Sequence, residues 1–254
     1  MEELVISPFL LAAIFFVVAF VYSMVGLGGG SSYTALMAIV GMNFLAIPLI
    51  SLMLNLFVTT VSSFNYIRRR HARWNLILPF ILSSIPMAFV GGSLQLPKEI
   101  FYWILLASLV FVALRIYAWD NLSLKIELGQ RAQLITSIIS GALLGLVAGI
   151  VGIGGGVYLV PLIILLGLGT EKEAAACGTI FIWMTSCSGL IARLQYNAID
   201  ISNYMPLIVA VLIGGFAGSW LGSSRLSPGI MQKVLGLIIL IAIGFLIRKV
   251  IFSN

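Results

Sequence analysis

Gly26-Leu27-Gly28-Gly29-Gly30 and Gly152-Ile153-Gly154-Gly155-Gly156 stand 126 residues apart, each closing one apolar stretch and opening another. Three consecutive glycines make poor helix and exceed what close packing requires. The first cluster leads into Ser31-Ser32-Tyr33-Thr34, the second into Val157 and Tyr158. A helix that starts after such a cluster offers free N–H groups and a partial positive charge, which suit a small anion. Glycine adds a sharp turn and lets a ligand approach without a Cβ in the way. The chemistry expected is therefore an anion held by peptide dipoles. Its candidate residues are Gly28, Gly29, Gly30, Ser31 and Ser32 in one copy, and Gly154, Gly155, Gly156 and Val157 in the other.

A polar stripe follows each cluster. Asn55, Thr59, Ser62 and Tyr66 fall at i, i+4, i+7 and i+11, one face of a helix, and Gly178, Thr185 and Ser188 share that spacing. Such hydroxyls either bond neighbouring helices or line a path, and the equivalence of Thr59 with Thr185 and of Ser62 with Ser188 favours neither strongly. Beyond them Arg193 reads first as an interfacial side chain snorkelling to the headgroups, and second as an attractor of anions at a cavity mouth. The stripes Gly141, Gly145, Gly149 and Gly214, Gly218, Gly222 read as packing surfaces, since small residues at four-residue spacing let helices touch in lipid.

Other chemistries are excluded by what the apolar stretches lack. None holds an Asp, Glu or Lys in its interior, so no carboxylate relay is visible. His71 is the single histidine and Cys177 and Cys187 lie ten residues apart, which leaves no metal cluster and no Ser-His-Asp site. Neither a metal nor another cofactor is expected, nor is an enzyme. The net charge of +6 resides at helix ends, where it sets orientation rather than nucleic-acid binding.

These residues must be positioned by a membrane bundle. A chain 61% hydrophobic and 9% charged differs from a soluble domain, which carries about 25% charged residues. Stretches near the roughly 20 residues that cross a bilayer recur at 8–26, 44–67, 76–92, 100–119, 132–151, 174–192, 201–222 and 230–247. The first of these follows Glu2 and Glu3 and no A-x-A-like site, so it reads as a retained span. Short arms, 31–40 and 157–166, come between the first and second stretch of each half. The fold class expected is an all-α polytopic membrane protein. It has two homologous repeats of about four transmembrane helices, each with a Gly-rich break and a short helix. The repeats are 1–125 and 126–254, joined in the polar segment 120–131.

Arg68-Arg69-Arg70-His71-Ala72-Arg73 marks a cytoplasmic loop of a plasma (inner) membrane protein. If the arms are re-entrant, each half crosses four times and the repeats are parallel; if the arms cross, each half crosses five times and the repeats are inverted. Both arrangements put ten of the fourteen Lys and Arg inside, so charge does not choose. An arm of about ten residues spans roughly 15 Å, too short to cross alone, which leans toward the re-entrant form.

Val25-Gly26-Leu27-Gly28-Gly29-Gly30 and the run Ile150-Val151-Gly152-Ile153-Gly154-Gly155-Gly156-Val157-Tyr158-Leu159-Val160-Pro161 carry a family resemblance. So do Cys177-Gly178-Thr179, Thr185-Ser186-Cys187-Ser188-Gly189, Asn197-Ala198-Ile199-Asp200 and Gly214-Gly215-Phe216-Ala217-Gly218. Over nearly its whole length the chain resembles the TauE/SafE family of sulfite-exporter-like membrane permeases. The resemblance implies transport of sulfur-containing anions such as sulfite, thiosulfate or organosulfonates, often as export. It adds Thr179 to the candidate residues. The first half departs from the pattern, with Ser51-Leu52-Met53-Leu54-Asn55 where the second keeps Gly178-Thr179.

The sequence thus points to a transporter for a small sulfur-containing anion, with peptide N–H groups of the two breaks holding it and Asn55, Thr59, Ser62, Gly178, Thr179, Thr185 and Ser188 lining its path. A carrier or channel for another small anion or an organic acid is the alternative. The partners expected are the anionic substrate and the lipid bilayer, with no nucleic acid; a homo-oligomer is compatible with the sequence.

Overall fold

The computed structural model describes residues 7–118, 129–196 and 204–224, with isolated positions from 240 to 247. The long elements among them are helices: α1 (Pro8–Met24), α2 (Gly30–Ile39), α3 (Ala46–Arg68), α4 (Trp74–Ser93), α5 (Lys98–Ala118), α6 (Gln130–Val151), α7 (Gly156–Leu165), α8 (Glu171–Leu194) and α9 (Met205–Ser224). Among the described residues, five helices (α3, α4, α6, α8 and α9) are long and apolar enough to cross a membrane. The first seven expected spans correspond in order to α1, α3, α4, α5, α6, α8 and α9. The eighth, 230–247, falls almost wholly outside the described residues, and the expected junction between halves at 125/126 lies outside them too.

Local chemistry sets the helix ends. Gly29 and Gly155 are the N-caps of α2 and α7 and take φ of 90° and 74°, a left-handed conformation that costs other residues roughly 1–2 kcal/mol. Gly26 and Gly152 before them, and Gly41 and Gly167 after the short helices, are also at positive φ. Thr170 opens α8 with a capping box: its Oγ1 accepts from Glu173 N–H while Glu173 Oε2 accepts from Thr170 N–H at 2.8 Å.

Contacts identify the two ends of the bundle. At the end carrying Arg68–Arg73, Tyr66 Oη donates to Met24 O at 2.8 Å, Asn65 Nδ2 donates to Ser219 Oγ at 2.8 Å and Arg73 Nη1 donates to Leu168 O at 3.4 Å. At the other end Phe44, Gln95 and Arg193 share one cavity wall. So α1 ends near the Arg68–Arg73 loop, whereas α2 leads to Phe44 at the far end. Likewise α6 runs to the far end, where Gly149 packs against Ala88, whereas α7 returns to Leu168.

This corrects the lean toward re-entrant arms with parallel halves. Each short helix leaves at the end where its preceding helix began. A ten-residue helix is too short to cross, but it does not work alone. The non-helical residues 25–29 and 152–155, extending up to about 3.3–3.6 Å each, first carry the chain back toward the middle.

Helix packing crosses between the halves. α1 packs along α9, α4 along α6, and α3 along α8 at the centre, while α3 also meets α9 and α4 meets α8. The small-residue stripes form two of these contacts, as expected from sequence. A Cβ on Gly145 would collide with Ser84 O, and one on Gly218 with Phe20 O, so the paired helices touch backbone to backbone.

Candidate functional site

The two breaks meet around one side chain. Asn55, on α3, is fully buried. A Cβ on Gly28 would stand 2.6 Å from Asn55 Oδ1, and one on Gly154 3.0 Å from Asn55 Nδ2. A Cβ on Gly30 would overlap Nδ2 and stand 2.6 Å from Ile153 O, so the breaks also touch each other directly. Glycine is needed here because two chain segments and an amide share the same space.

Hydroxyls satisfy the carbonyls of the breaks. Ser51, one turn before Asn55, donates to Gly152 O at 2.8 Å, and Asn55 Nδ2 reaches the same oxygen at 3.4 Å. Thr185 on α8 donates to Gly154 O at 3.0 Å, and Thr34 donates to Gly30 O. With carbonyls engaged, the amides remain. Backbone bonding resumes at Tyr33, whose N–H donates to Gly29 O at 3.0 Å, and at Tyr158, whose N–H donates to Gly155 O at 3.1 Å. The N–H groups before those positions are the ones a helix start leaves unpaired. α2 and α7 run toward opposite ends of the bundle, so their positive N-terminal dipoles converge beside Asn55. Asn55 Oδ1 and Ser186 Oγ are buried there with no hydrogen-bond partner.

The remaining candidates divide by location. Tyr22 Oη bonds both Ser31 Oγ (2.9 Å) and Ser32 Oγ (2.7 Å), fixing the first turn of α2. Gly29 lies against the Tyr33 ring, Gly155 against Phe181 and Gly156 against Ile182, and Val157 is buried beyond them. Thr59 donates to Asn55 O at 2.6 Å, which holds that turn of α3, and Ser62 is buried one turn further on. Gly178 sits between the breaks' outer parts, its Cβ position 3.0 Å from Gly26 O. Two candidates turn away: Thr179 donates within α8 to Ala176 O at 3.0 Å, and Ser188 donates to Ile85 O of α4 at 2.7 Å. Gly28–Ser32, Asn55, Thr59, Gly154–Val157 and Thr185 thus lie in and around the place where the two breaks meet.

Sequence reading passed over Ser51 and Ser186. Ser51 could have been found by extending the Asn55 stripe back one turn, at i−4. No comparable signal marks Ser186, which lies off the Thr185–Ser188 stripe and is brought against Gly154 beside Thr185 only by packing.

Arg193 differs more sharply from expectation. It is 7% exposed rather than snorkelling, and its Nη2 donates to Gly149 O at 2.8 Å and Ile150 O at 2.6 Å. A cation so placed caps the end of α6, where the helix dipole is negative. It also lines a cavity at the far end with Phe44, Pro48, Gln95, Leu96, Phe101 and Tyr196. Pro48, in the cavity wall, lies 2.6 Å from the Cβ position of Gly152 and so abuts the second break.

Comparison with known proteins bears on the whole chain. The family described as sulfite exporter TauE/SafE matches residues 11–247. A probable membrane transporter protein of Sinorhizobium fredii is 33% identical over 236 residues, covering 91% of this chain and 95% of the relative. A second probable membrane transporter protein, from Methanocaldococcus jannaschii, is 26% identical over 254 residues, covering 92% of this chain and 89% of the relative. No solved structure matches.

Proposed function

Because this chain belongs to the TauE/SafE family of membrane transporters, we propose that it carries a small sulfur-containing anion, such as sulfite, thiosulfate or an organosulfonate, past the two glycine breaks. The observation that carries this reading is the convergence of two helix N-termini, at Gly30 and Gly156, on the buried amide of Asn55. Opposed positive dipoles in a low-dielectric interior attract negative charge and repel cations. The substrate class comes from the family description, which names sulfite export.

In this proposal residues 1–125 and 126–254 are inverted repeats about an axis in the membrane plane. Support comes from the exchange of partners, α1 with α9 against α6 with α4, which such a two-fold generates. Alternating access then consists of moving the α1–α9 pair against the α4–α6 pair around Asn55. The Arg68–Arg73 loop faces the cytoplasm of a plasma-membrane protein, with Gln95 outside.

Two experiments test these points. In liposomes, radiolabelled sulfite, thiosulfate and small sulfonates should accumulate in a saturable manner with counterflow. Transport of chloride or carboxylates with no sulfur anion carried would overturn the substrate class, and unsaturable flux with current steps would make the protein a channel. For sidedness, a Cys187→Ser background carrying Gln95→Cys should react with an impermeant maleimide on whole cells, whereas Arg69→Cys should react only after the cells are opened. The reverse pattern would invert the orientation.

A further inference from the structure

The cavity at the far end of the bundle contains the only deeply buried cation among the described residues, Arg193. Its mouth is formed by exposed Gln95 and Tyr196, and its inner wall by buried Pro48, Gly92, Phe101 and Ile150. Guanidinium offers five donors. The two on Nη2 are committed to Gly149 O and Ile150 O, whereas Nε is buried without a partner. A buried cation with unused donors is unfavourable until an anion completes it. Around it the walls are mostly hydrocarbon, from Phe44, Leu96 and Phe101, which a fully hydrated inorganic ion would not use. α7 runs away from this end, and the break that precedes it meets the cavity wall where Gly152 packs on Pro48.

We propose that this cavity is a receiving site for an organic monoanion with a short carbon chain, its acidic group on Arg193 and its carbons against Phe44, Leu96 and Phe101. The inference rests on the anion-transport reading and narrows it toward organosulfonates over bare sulfite. One cation matches one negative charge, and the apolar walls match the substituent. From there the Pro48–Gly152 contact links the cavity wall to the second break. Arg193 both holds the end of α6 and receives the anion, so arrival of a ligand is felt directly at the second break.

The test uses ethanesulfonate and sulfite as probes on the full chain, with binding measured in detergent by calorimetry and flux measured in liposomes. Wild type should bind ethanesulfonate, and Arg193→Gln should weaken that binding by about tenfold or more, the loss expected for charge-assisted bonds. Leu96→Trp, which narrows the cavity and leaves the cap on α6 intact, should weaken ethanesulfonate binding several-fold more than sulfite binding. If Arg193→Gln fails to fold, Leu96→Trp decides alone. Wild type that does not bind ethanesulfonate, Arg193→Gln with unchanged affinity and only a lower melting temperature, or Leu96→Trp that weakens both probes equally would each overturn the proposal. Detergent binding without flux of any sulfur anion would instead sink the transport reading and keep the site.

Discussion

Gly28→Ala should lower substrate flux by about tenfold or more while the purified protein stays folded and monodisperse. Gly28 does not need a positive φ, so the added methyl brings no backbone strain. Its Cβ would meet Asn55 Oδ1 at 2.6 Å and Ile182 Cγ2 at 3.2 Å, both side-chain atoms that can shift. What shifts is the amide between the breaks, and a displacement of about 1 Å in a site built on dipole geometry costs far more function than stability. Asn55→Leu should produce a similar loss, because it removes the donor to Gly152 O and leaves that carbonyl to Ser51 alone. The double variant should be no worse than either single one, since both act through one side chain. Flux from the single variants, measured with protein inserted at equal density, checks this. Wild-type rates in Gly28→Ala would remove the glycine breaks from the site; multiplied losses in the double variant would separate Gly28 from Asn55.

The largest structural effect is expected where glycines bring helices into backbone contact. Gly218→Leu and Gly149→Leu should each destabilise the bundle by about 3 kcal/mol or more, the upper range of overpacking. At Gly218 the new Cβ falls on Phe20 O, and at Gly149 on Ala88 O. A carbonyl in a helix cannot rotate aside as a side chain can, so α9 must leave α1, or α6 must leave α4, along the whole stripe. In lipid that contact is van der Waals packing rather than a hydrophobic effect, so separation is not compensated. Size-exclusion profiles and thermal unfolding in detergent report the result. As a control, Gly167→Ala should be mild: its positive φ of 62° strains the turn, but nothing lies within 4 Å of its Cβ. Equal behaviour of Gly218→Leu and Gly167→Ala would contradict close packing of α1 on α9.

Much of the architecture was legible because it is set by local rules. Hydropathy over a span-length window located seven apolar stretches now seen as the helices α1, α3, α4, α5, α6, α8 and α9, of which α3, α4, α6, α8 and α9 are long and apolar enough to cross a membrane. Glycine triplets marked where helix stops, since left-handed backbone at Gly29 and Gly155 is a property of the residue and not of its neighbours. The two stripes were recognised as packing surfaces by spacing alone. Period placed Asn55, Thr185 and Ser188 on polar stripes but not their neighbours: Asn55 and Thr185 lie against the glycine breaks, whereas Ser188 bonds Ile85 O, because α4 covers that end of α8.

The chain by itself determined the helices, their interruptions and the lack of carboxylates within the apolar stretches, all of which depend on composition and near-neighbour geometry. Only the tertiary structure decided which way the short helices run. Charge could not, because ten basic residues against four result from either arrangement. The direction of α2 and α7 is set by contacts across more than 90 residues, such as Arg73 with Leu168 and Gly152 with Pro48. The same is true of Arg193, whose sequence neighbours suggest a surface arginine. Carbonyls at Gly149 and Ile150, 44 and 43 residues away, bring it inside. Dipoles and hydrogen bonds act through space, and a linear chain does not reveal which ends will converge.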